Sequence, residues 1–382
     1  MKKIVLAFDS FKNCLSSPEI CRIVSRAILE YLPACEIIQL PLGDGGEGTA
    51  AAIINACGGT IQKCTVHDPL FRQIEANWGL LPDNTAVFEM ASASGIELIS
   101  PQERNPMLTT TCGTGELLRH IVCECNIKNI VIGIGGSATV DAGTGMLQAL
   151  GAKFFDGNGT LLPTPLSGYD IGKISKIDMS CVPECFADVN IKIASDVNNP
   201  LCGETGAAKV FAPQKGADSK MVKKLEENLQ NFADISILSG ITDNCNHRGD
   251  GAAGGLGFAL RSYLGAVSTS GAELVLELLK FDNIISDADL VITGEGCSDF
   301  QTAHGKLPAI VAEHCRKKNI PVILLSGALG KNSEELDALF DAVLSLSSAL
   351  CSLEQAINDT EKNLTRMSKA IVKLTEITPG KN

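Results

Sequence analysis

Near its start the chain carries Ile4-Val5-Leu6-Ala7-Phe8, followed at once by Asp9-Ser10-Phe11-Lys12. Five apolar residues without polar alternation, ended by a carboxylate, predict a short strand buried on both faces. That is the habit of a parallel sheet. A helix is expected next, with Ser17 as N-cap and Pro18 at the first helical position. Ile20, Ile23, Val24 and Ala27 supply its three-and-four spacing. A second strand over residues 36–40 and a helix over 47–56 complete a right-handed βαβ opening. The same grammar returns near the other end, with strands expected at 289–292, 321–325 and 342–346 and a helix at 307–317. A last helix over 355–376 is expected on the outer face.

The middle of the chain is written differently. It has short β-like runs, Gly and Pro breaks, a strand at 129–134 running into glycines, and a loop-rich stretch at 157–176. The expected architecture is therefore α/β with two α/β domains. Residues 1–64 and 286–382 form a discontinuous Rossmann-like domain with a parallel sheet. Residues 65–285 form an inserted mixed α/β domain, and ligands are expected in the cleft that such an arrangement creates.

Composition narrows the function. The 382 residues include 37 glycines against 13 Phe, 3 Tyr and 1 Trp, and a net charge of −12 comes from 44 acids and 32 bases. Phosphate-backbone affinity needs clustered Lys and Arg, so a general nucleic-acid binder is excluded. The first apolar run is strand-length and the chain has no spanning-length apolar stretch, so neither a signal peptide nor a membrane partner is expected. The 15 cysteines are scattered singly, without a second pair or a His pair at zinc spacing. They read as reduced thiols filling a core, and the protein is expected to be cytoplasmic. A homodimer stays open as its assembly.

Chemistry is sought where parallel strands end. After the opening strand come Asp9 to Lys12, and after the second come Gly43-Asp44-Gly45-Gly46-Glu47-Gly48-Thr49. After the middle strand come Gly135-Gly136-Ser137-Ala138-Thr139-Val140-Asp141. Ser195-Asp196-Val197-Asn198-Asn199 follows residues 191–194, and Thr293-Gly294-Glu295-Gly296 follows the strand near 290. A single such loop is an ordinary turn. Five in register with strand ends read as a site for a polyphosphate and a divalent metal. Glycines let backbone N–H groups close on phosphate oxygens, and helix N-termini add a favourable dipole. Carboxylates suit Mg2+, and Lys12 and Lys306 can neutralise a transferring phosphoryl group. A competing reading is an NAD(P)-dependent oxidoreductase of a small hydroxy acid. Gly133-Ile134-Gly135-Gly136-Ser137-Ala138 fits a relaxed dinucleotide fingerprint, with a helix at 141–150 and a second strand at 153–155 ending at Asp156. Against it, Asp141 would stand where an unmetallated pyrophosphate should sit. No Walker A pattern and no protein-kinase motif set is present.

Taken together and in order, the loops resemble the bacterial-type glycerate kinase family. To those quoted are added Cys112-Gly113-Thr114-Gly115-Glu116-Leu117, Asp196-Val197-Asn198-Asn199-Pro200 and Pro213-Gln214-Lys215-Gly216-Ala217. Gly251-Ala252-Ala253-Gly254-Gly255-Leu256-Gly257 and Gln301-Thr302 with Gly305-Lys306 complete the set. The resemblance spans residues 1 to about 345. It implies phosphoryl transfer from ATP, with Mg2+, to D-glycerate, at the 2-hydroxyl to give 2-phosphoglycerate. On that basis Asp196 is expected as base or metal-linked carboxylate, with Asp44 and Glu295 next and Asp44 a second metal ligand. Lys12 and Lys306 are expected to hold phosphate or the glycerate carboxylate. Gly135, Gly136, Ser137 and Thr139 would cradle an anion, and Gly45 and Gly294 would line the site. Ser10, Gly46, Glu47, Asp141, Asn198 and Gln301 complete the expected binding set.

Overall fold

A computed structural model describes residues 1–11, 14–42, 49–347 and 352–377. Lys12, Asp44, Gly45, Gly46 and Glu47 lie outside the described residues. The chain divides into two compact units, Met1–Asp44 with Ala272–Asn382, and Gly45–Gly271. The strand Thr60–His67 pairs along its whole length with Gln73–Leu80. It therefore belongs to the second unit, which begins earlier than the expected boundary at residue 65. The other boundary also shifts, from 286 to 272, because helix Gly271–Leu278 is grouped with the C-terminal strands.

In the first unit five parallel strands lie in the order Ala342–Ser345, Val322–Ser326, Leu290–Gly294, Lys3–Phe8, Glu36–Pro41. Ile4 to Phe8 are all fully buried, as an apolar run in a central parallel strand requires. Helix Ser17–Leu29 presents Ile20, Ile23, Val24 and Ile28 to a core shared with Leu364, Ile371 and Val372 of helix Thr360–Ile377. Its N-cap is Ser16, not Ser17. Glu19 sits three residues on and its carboxylate accepts from the Ser16 amide at 2.9 Å, a capping box that only Ser16 can form. The expected final helix is two, Leu353–Asn358 and Thr360–Ile377.

In the second unit six strands lie in the order Val267–Thr269, Asn190–Ala194, Asn129–Gly133, Thr85–Glu89, Gln73–Leu80, Thr60–His67. The first four are mutually parallel and the last two antiparallel, so this sheet is mixed, as expected. The strand Lys153–Phe155 is not part of it. It pairs antiparallel with Lys176–Asp178 in a separate ribbon, and the preceding helix is Thr144–Leu150 rather than 141–150. A dinucleotide fingerprint needs its second strand parallel to the first in one sheet, so the oxidoreductase reading loses its structural unit. No described helix is long and apolar enough to cross a membrane.

Candidate active site

The first unit's sheet runs from Lys3–Phe8 to Glu36–Pro41 on one side and from Leu290–Gly294 outward on the other. Its topological switch point therefore falls at the carboxyl ends of Lys3–Phe8 and Leu290–Gly294. Asp9 and Glu295 follow those two strands. The Asp9 amide donates to the Gly294 carbonyl at 3.0 Å, and the half-buried Ser10 donates its amide to Asp9 Oδ1 at 2.6 Å. Glu295 is 7% exposed. Its Oε1 accepts from Thr302 Oγ1 at 2.5 Å and Ser298 Oγ at 3.1 Å, and its Oε2 pairs with Lys306 Nζ at 3.5 Å. Lys306 is the N-cap of helix Leu307–Lys317 and keeps part of its side chain in solvent. The sequence thus brings Glu295 and Lys306 together as an ion pair, with the lysine as the group left to meet an anion. Gly294 is buried, and a Cβ there would overlap the Leu325 carbonyl oxygen, so its glycine serves strand contact. Gln301 is exposed on the short helix Phe300–Ala303, which Asp299 caps through Oδ1 at 2.9 Å from the Gln301 amide.

In the second unit three adjacent parallel strands end side by side, with Glu89 opposite Gly133 and Gly133 opposite Ala194. Gly133 has no side chain because the Glu89 carboxylate fills the space a Cβ would take. That carboxylate also accepts from the Ala50 amide at 2.9 Å, at the start of helix Thr49–Ala56. Beyond Gly133, Gly135 and Gly136 are exposed, whereas Ser137, Thr139 and Asp141 are buried. Nothing lies within 4 Å of a Cβ built on Gly135. On the next strand end, Asp196 and Asn198 are exposed, and the Asn198 amide donates to the Asp196 carbonyl at 3.5 Å.

The Asp141 carboxylate is engaged by protein donors. Its Oδ2 accepts from the Thr111 amide and Thr111 Oγ1, both at 2.8 Å, and from the Gly145 amide at 3.3 Å. Its Oδ1 accepts from the Gly143 amide at 3.2 Å. Burial pushes its carboxyl upward against the pull of those donors. It acts as a tie between the glycine loop and helix Cys112–Arg119, thirty residues away in sequence. Thr139 Oγ1 is buried without a hydrogen-bond partner among the described residues.

Sequence reasoning passed over two residues that the structure places here. Lys215 is 2% exposed, and its Nζ donates to Ser137 Oγ at 2.6 Å and to the Thr139 carbonyl at 2.7 Å. Burial lowers its ammonium to about 7, with the Asp141 carboxylate pulling the other way. Glu89 ends an apolar run, Thr85-Ala86-Val87-Phe88, and the strand-end rule applied to the other five loops would have found it. Lys215 stood within the Pro213-Gln214-Lys215-Gly216-Ala217 motif, but its role was not readable there, since its partners are 76 and 78 positions away.

The open space at Gly135 gives a direct test. Gly135→Ala is expected to leave the melting temperature within about 2 °C of the parent, because its φ is not left-handed and the new methyl meets nothing. If a ligand's anion approaches that backbone, the same change raises KM or lowers kcat by about tenfold or more. Unchanged kinetics would remove Gly135 from the site.

Comparison with known proteins places the chain in a family. The glycerate kinase family profile matches residues 4–376. A glycerate kinase of Bacillus cereus is 40% identical over the whole of both chains. A glycerate 2-kinase of Escherichia coli is 40% identical over 97% of each. A solved chain from Salmonella typhimurium LT2, described as a candidate glycerate kinase 2, superposes with a TM-score of 0.86 at 39% identity, covering 98% of each chain. A match of this extent, with parallel strand ends carrying glycines and carboxylates, means that the chain belongs to the glycerate kinase family and that its chemistry is phosphoryl transfer.

Proposed function

We propose that this chain transfers the terminal phosphoryl group of ATP to the 2-hydroxyl of D-glycerate, giving 2-phosphoglycerate. The observation that carries the reading is the carboxyl edge of the second unit's sheet. There the open backbone of Gly135, followed by the exposed Gly136, lies one strand from the exposed residue Asp196. Backbone amides without side chains suit phosphate oxygens, and a solvent-facing carboxylate suits a hydroxyl proton or a metal.

A carboxylate such as Asp196 suits Mg2+. That ion takes oxygen ligands, commonly one or two carboxylates with waters and phosphates completing the shell. The carboxylates of Asp141 and Glu295 are engaged by protein donors, and Asp196 is an exposed residue just past a strand end. Asp196 would hold the ion. When bound, Mg2+ neutralises charge on the transferring phosphoryl oxygens.

The remaining steps belong to side chains. Asp196 orients the glycerate hydroxyl and accepts its proton. Lys306, steadied by Glu295, meets an anionic group of nucleotide or glycerate, and Lys12 does the same from its own loop. Ser137 and Thr139 set the path of the glycine loop under Lys215, so Gly135 and Gly136 keep their amides in place. Ser10, Gln301, Asn198, Glu47, Gly45 and Gly46 are assigned to binding.

Incubation with D-glycerate, ATP and Mg2+, followed by phosphorus NMR, tests this reading. Phosphate on C2 couples to one proton and gives a doublet, whereas phosphate on C3 couples to two and gives a triplet. A doublet with stoichiometric ADP supports the assignment. A triplet overturns the position, and no ADP overturns the activity. Asp196→Asn is expected to lower turnover by about 10²-fold or more without changing stability, since the residue is exposed. Near-normal turnover with unchanged metal dependence would remove it from the chemistry.

A further inference from the structure

At the amino edge of the second unit's sheet two thiols face one another. Cys123 Sγ lies 2.8 Å from Cys185 Sγ, and both cysteines are free. Cys123 is exposed and Cys185 half-buried. Their meeting follows from the sheet. Cys123 belongs to the helical turn His120–Glu124 that leads into Asn129–Gly133, and Cys185 to the turn Glu184–Phe186 that leads into Asn190–Ala194. Those two strands are adjacent and parallel, with Asn129 opposite Asn190, so the segments entering them arrive at the same edge. The arrival is fixed by neighbouring ties. The Asn190 amide donates to the Lys128 carbonyl at 2.7 Å, and Lys128 Nζ pairs with Asp188 Oδ2 at 3.4 Å. Ile121, Val122 and Phe186 are buried in the core beside them.

We propose that Cys123 and Cys185 are a redox-active pair that accepts one intramolecular disulfide by exchange with a small-molecule disulfide. The thiolate of the exposed Cys123 attacks one sulfur of the small disulfide, whose S–S bond breaks and releases one thiolate. The Cys185 thiolate then attacks Cys123 Sγ in the mixed disulfide, forming the protein disulfide and expelling the second thiolate. Two electrons pass to the small molecule, which takes up the two thiol protons and ends as two free thiols. Burial, reinforced by the neighbouring Cys185 thiol, pushes the Cys123 thiol up to about 11. The thiolate fraction is therefore small at neutral pH, and exchange quickens as pH rises.

The bridge would close a segment 62 positions long that contains strand Asn129–Gly133 and the glycine loop after it. Cross-linking restricts the unfolded chain, so the oxidised protein gains stability. The bridge sits at the amino ends of the strands, while Gly135 and Asp196 sit beyond their carboxyl ends. Oxidation is therefore expected to leave turnover unchanged.

The test uses the full chain, reduced, desalted and incubated with oxidised glutathione at alkaline pH, then alkylated and analysed by intact mass and peptide mapping. The expected product lacks two hydrogens, yields a linked Cys123–Cys185 peptide, and melts roughly 5–15 °C higher than the reduced protein. Cys123→Ser and Cys185→Ala should each abolish the product and the shift. Cys125→Ser and Cys181→Ser, which alter the nearest other exposed thiols in sequence, should keep both. Glutathione adducts without an internal link would overturn the proposal, as would a link through Cys125 or Cys181. A melting rise that survives Cys123→Ser would do the same.

Discussion

Replacing Lys215 by methionine is expected to lower turnover by about 10²- to 10³-fold, the scale seen when one oriented donor is lost from an anion site. The same change should also remove a rise in stability with pH, which the lowered Lys215 ammonium is expected to give the native protein. Both effects come from one atom. Lys215 Nζ holds Ser137 Oγ and the Thr139 carbonyl at 2.6 and 2.7 Å, so it fixes the loop that offers Gly135 and Gly136. Methionine has similar length and no donor, and leaves two buried acceptors unmet at a cost of about 1–3 kcal/mol each. The pH effect has a definite sign. In the folded protein burial brings the ammonium down to about 7, against an ordinary value of 10.5. Between those values the unfolded chain carries the proton and the folded chain does not, so stability from this group rises with pH through that window. It is fully present above about 10.5 and lost as pH falls through about 7. The slope contributed is at most about 1.4 kcal/mol per pH unit. Urea unfolding at pH 6, 7, 8 and 9 on parent and variant, with kcat measured alongside, reads both effects. The difference between the two proteins isolates Lys215. Parallel slopes would show that another group carries the titration, and unchanged kcat would show that the loop stands without it.

What could be read from residues alone followed from the range of the interactions concerned. Ile4 to Phe8, and Leu290 to Ile292 in the partner strand, are short continuous apolar runs that only a doubly covered strand satisfies. Helix Leu307–Lys317 forms where it is expected, and Pro308 in its first turn suits that start. The capping of Ser17–Leu29 was also local, and Glu19 chooses between two adjacent serines by its distance from Ser16. The strand Lys153–Phe155 was legible as a strand, yet its partner was not, since three residues carry no record of which sheet they join. The site shows the same divide. Asp141 sits in a glycine-rich strand-end loop, so it reads as a ligand group. Only its contacts with Thr111, thirty positions away, reveal it as a tie. Glu295 reads as the carboxylate that follows the strand near 290, but its engagement with Ser298, Thr302 and Lys306 depends on how the following loop folds back. Long-range hydrogen bonds to buried backbone leave no periodic trace in composition or spacing.

Gly254→Ala is expected to cost about 3–5 kcal/mol, placing it among the severe single substitutions, and to lower the melting temperature by about 10 °C or more. Ala253, Gly254 and Gly255 all have left-handed φ, at 53°, 68° and 93°, inside the segment that opens helix Ala252–Leu264. This run lets the backbone approach the glycine loop. The Gly254 carbonyl accepts from the Ala142 amide at 3.0 Å, and the Gly251 amide donates to the Asn199 carbonyl at 2.9 Å. One stretch therefore braces both the Gly135–Asp141 loop and the loop that carries Asp196. A Cβ on Gly254 would overlap the Thr139 carbonyl oxygen, the same atom that Lys215 bonds. The left-handed conformation alone costs a non-glycine residue about 1–2 kcal/mol, and displacing that carbonyl supplies the rest. Gly265 separates the two contributions. It ends the same helix at φ 67°, nearly the angle of Gly254, but a Cβ there meets nothing within 4 Å. Gly265→Ala should therefore lose only about 1–2 kcal/mol and retain full turnover, whereas Gly254→Ala should lose turnover together with stability. Equal losses in the two variants would mean that the approach of this backbone to Thr139 contributes nothing to either loop.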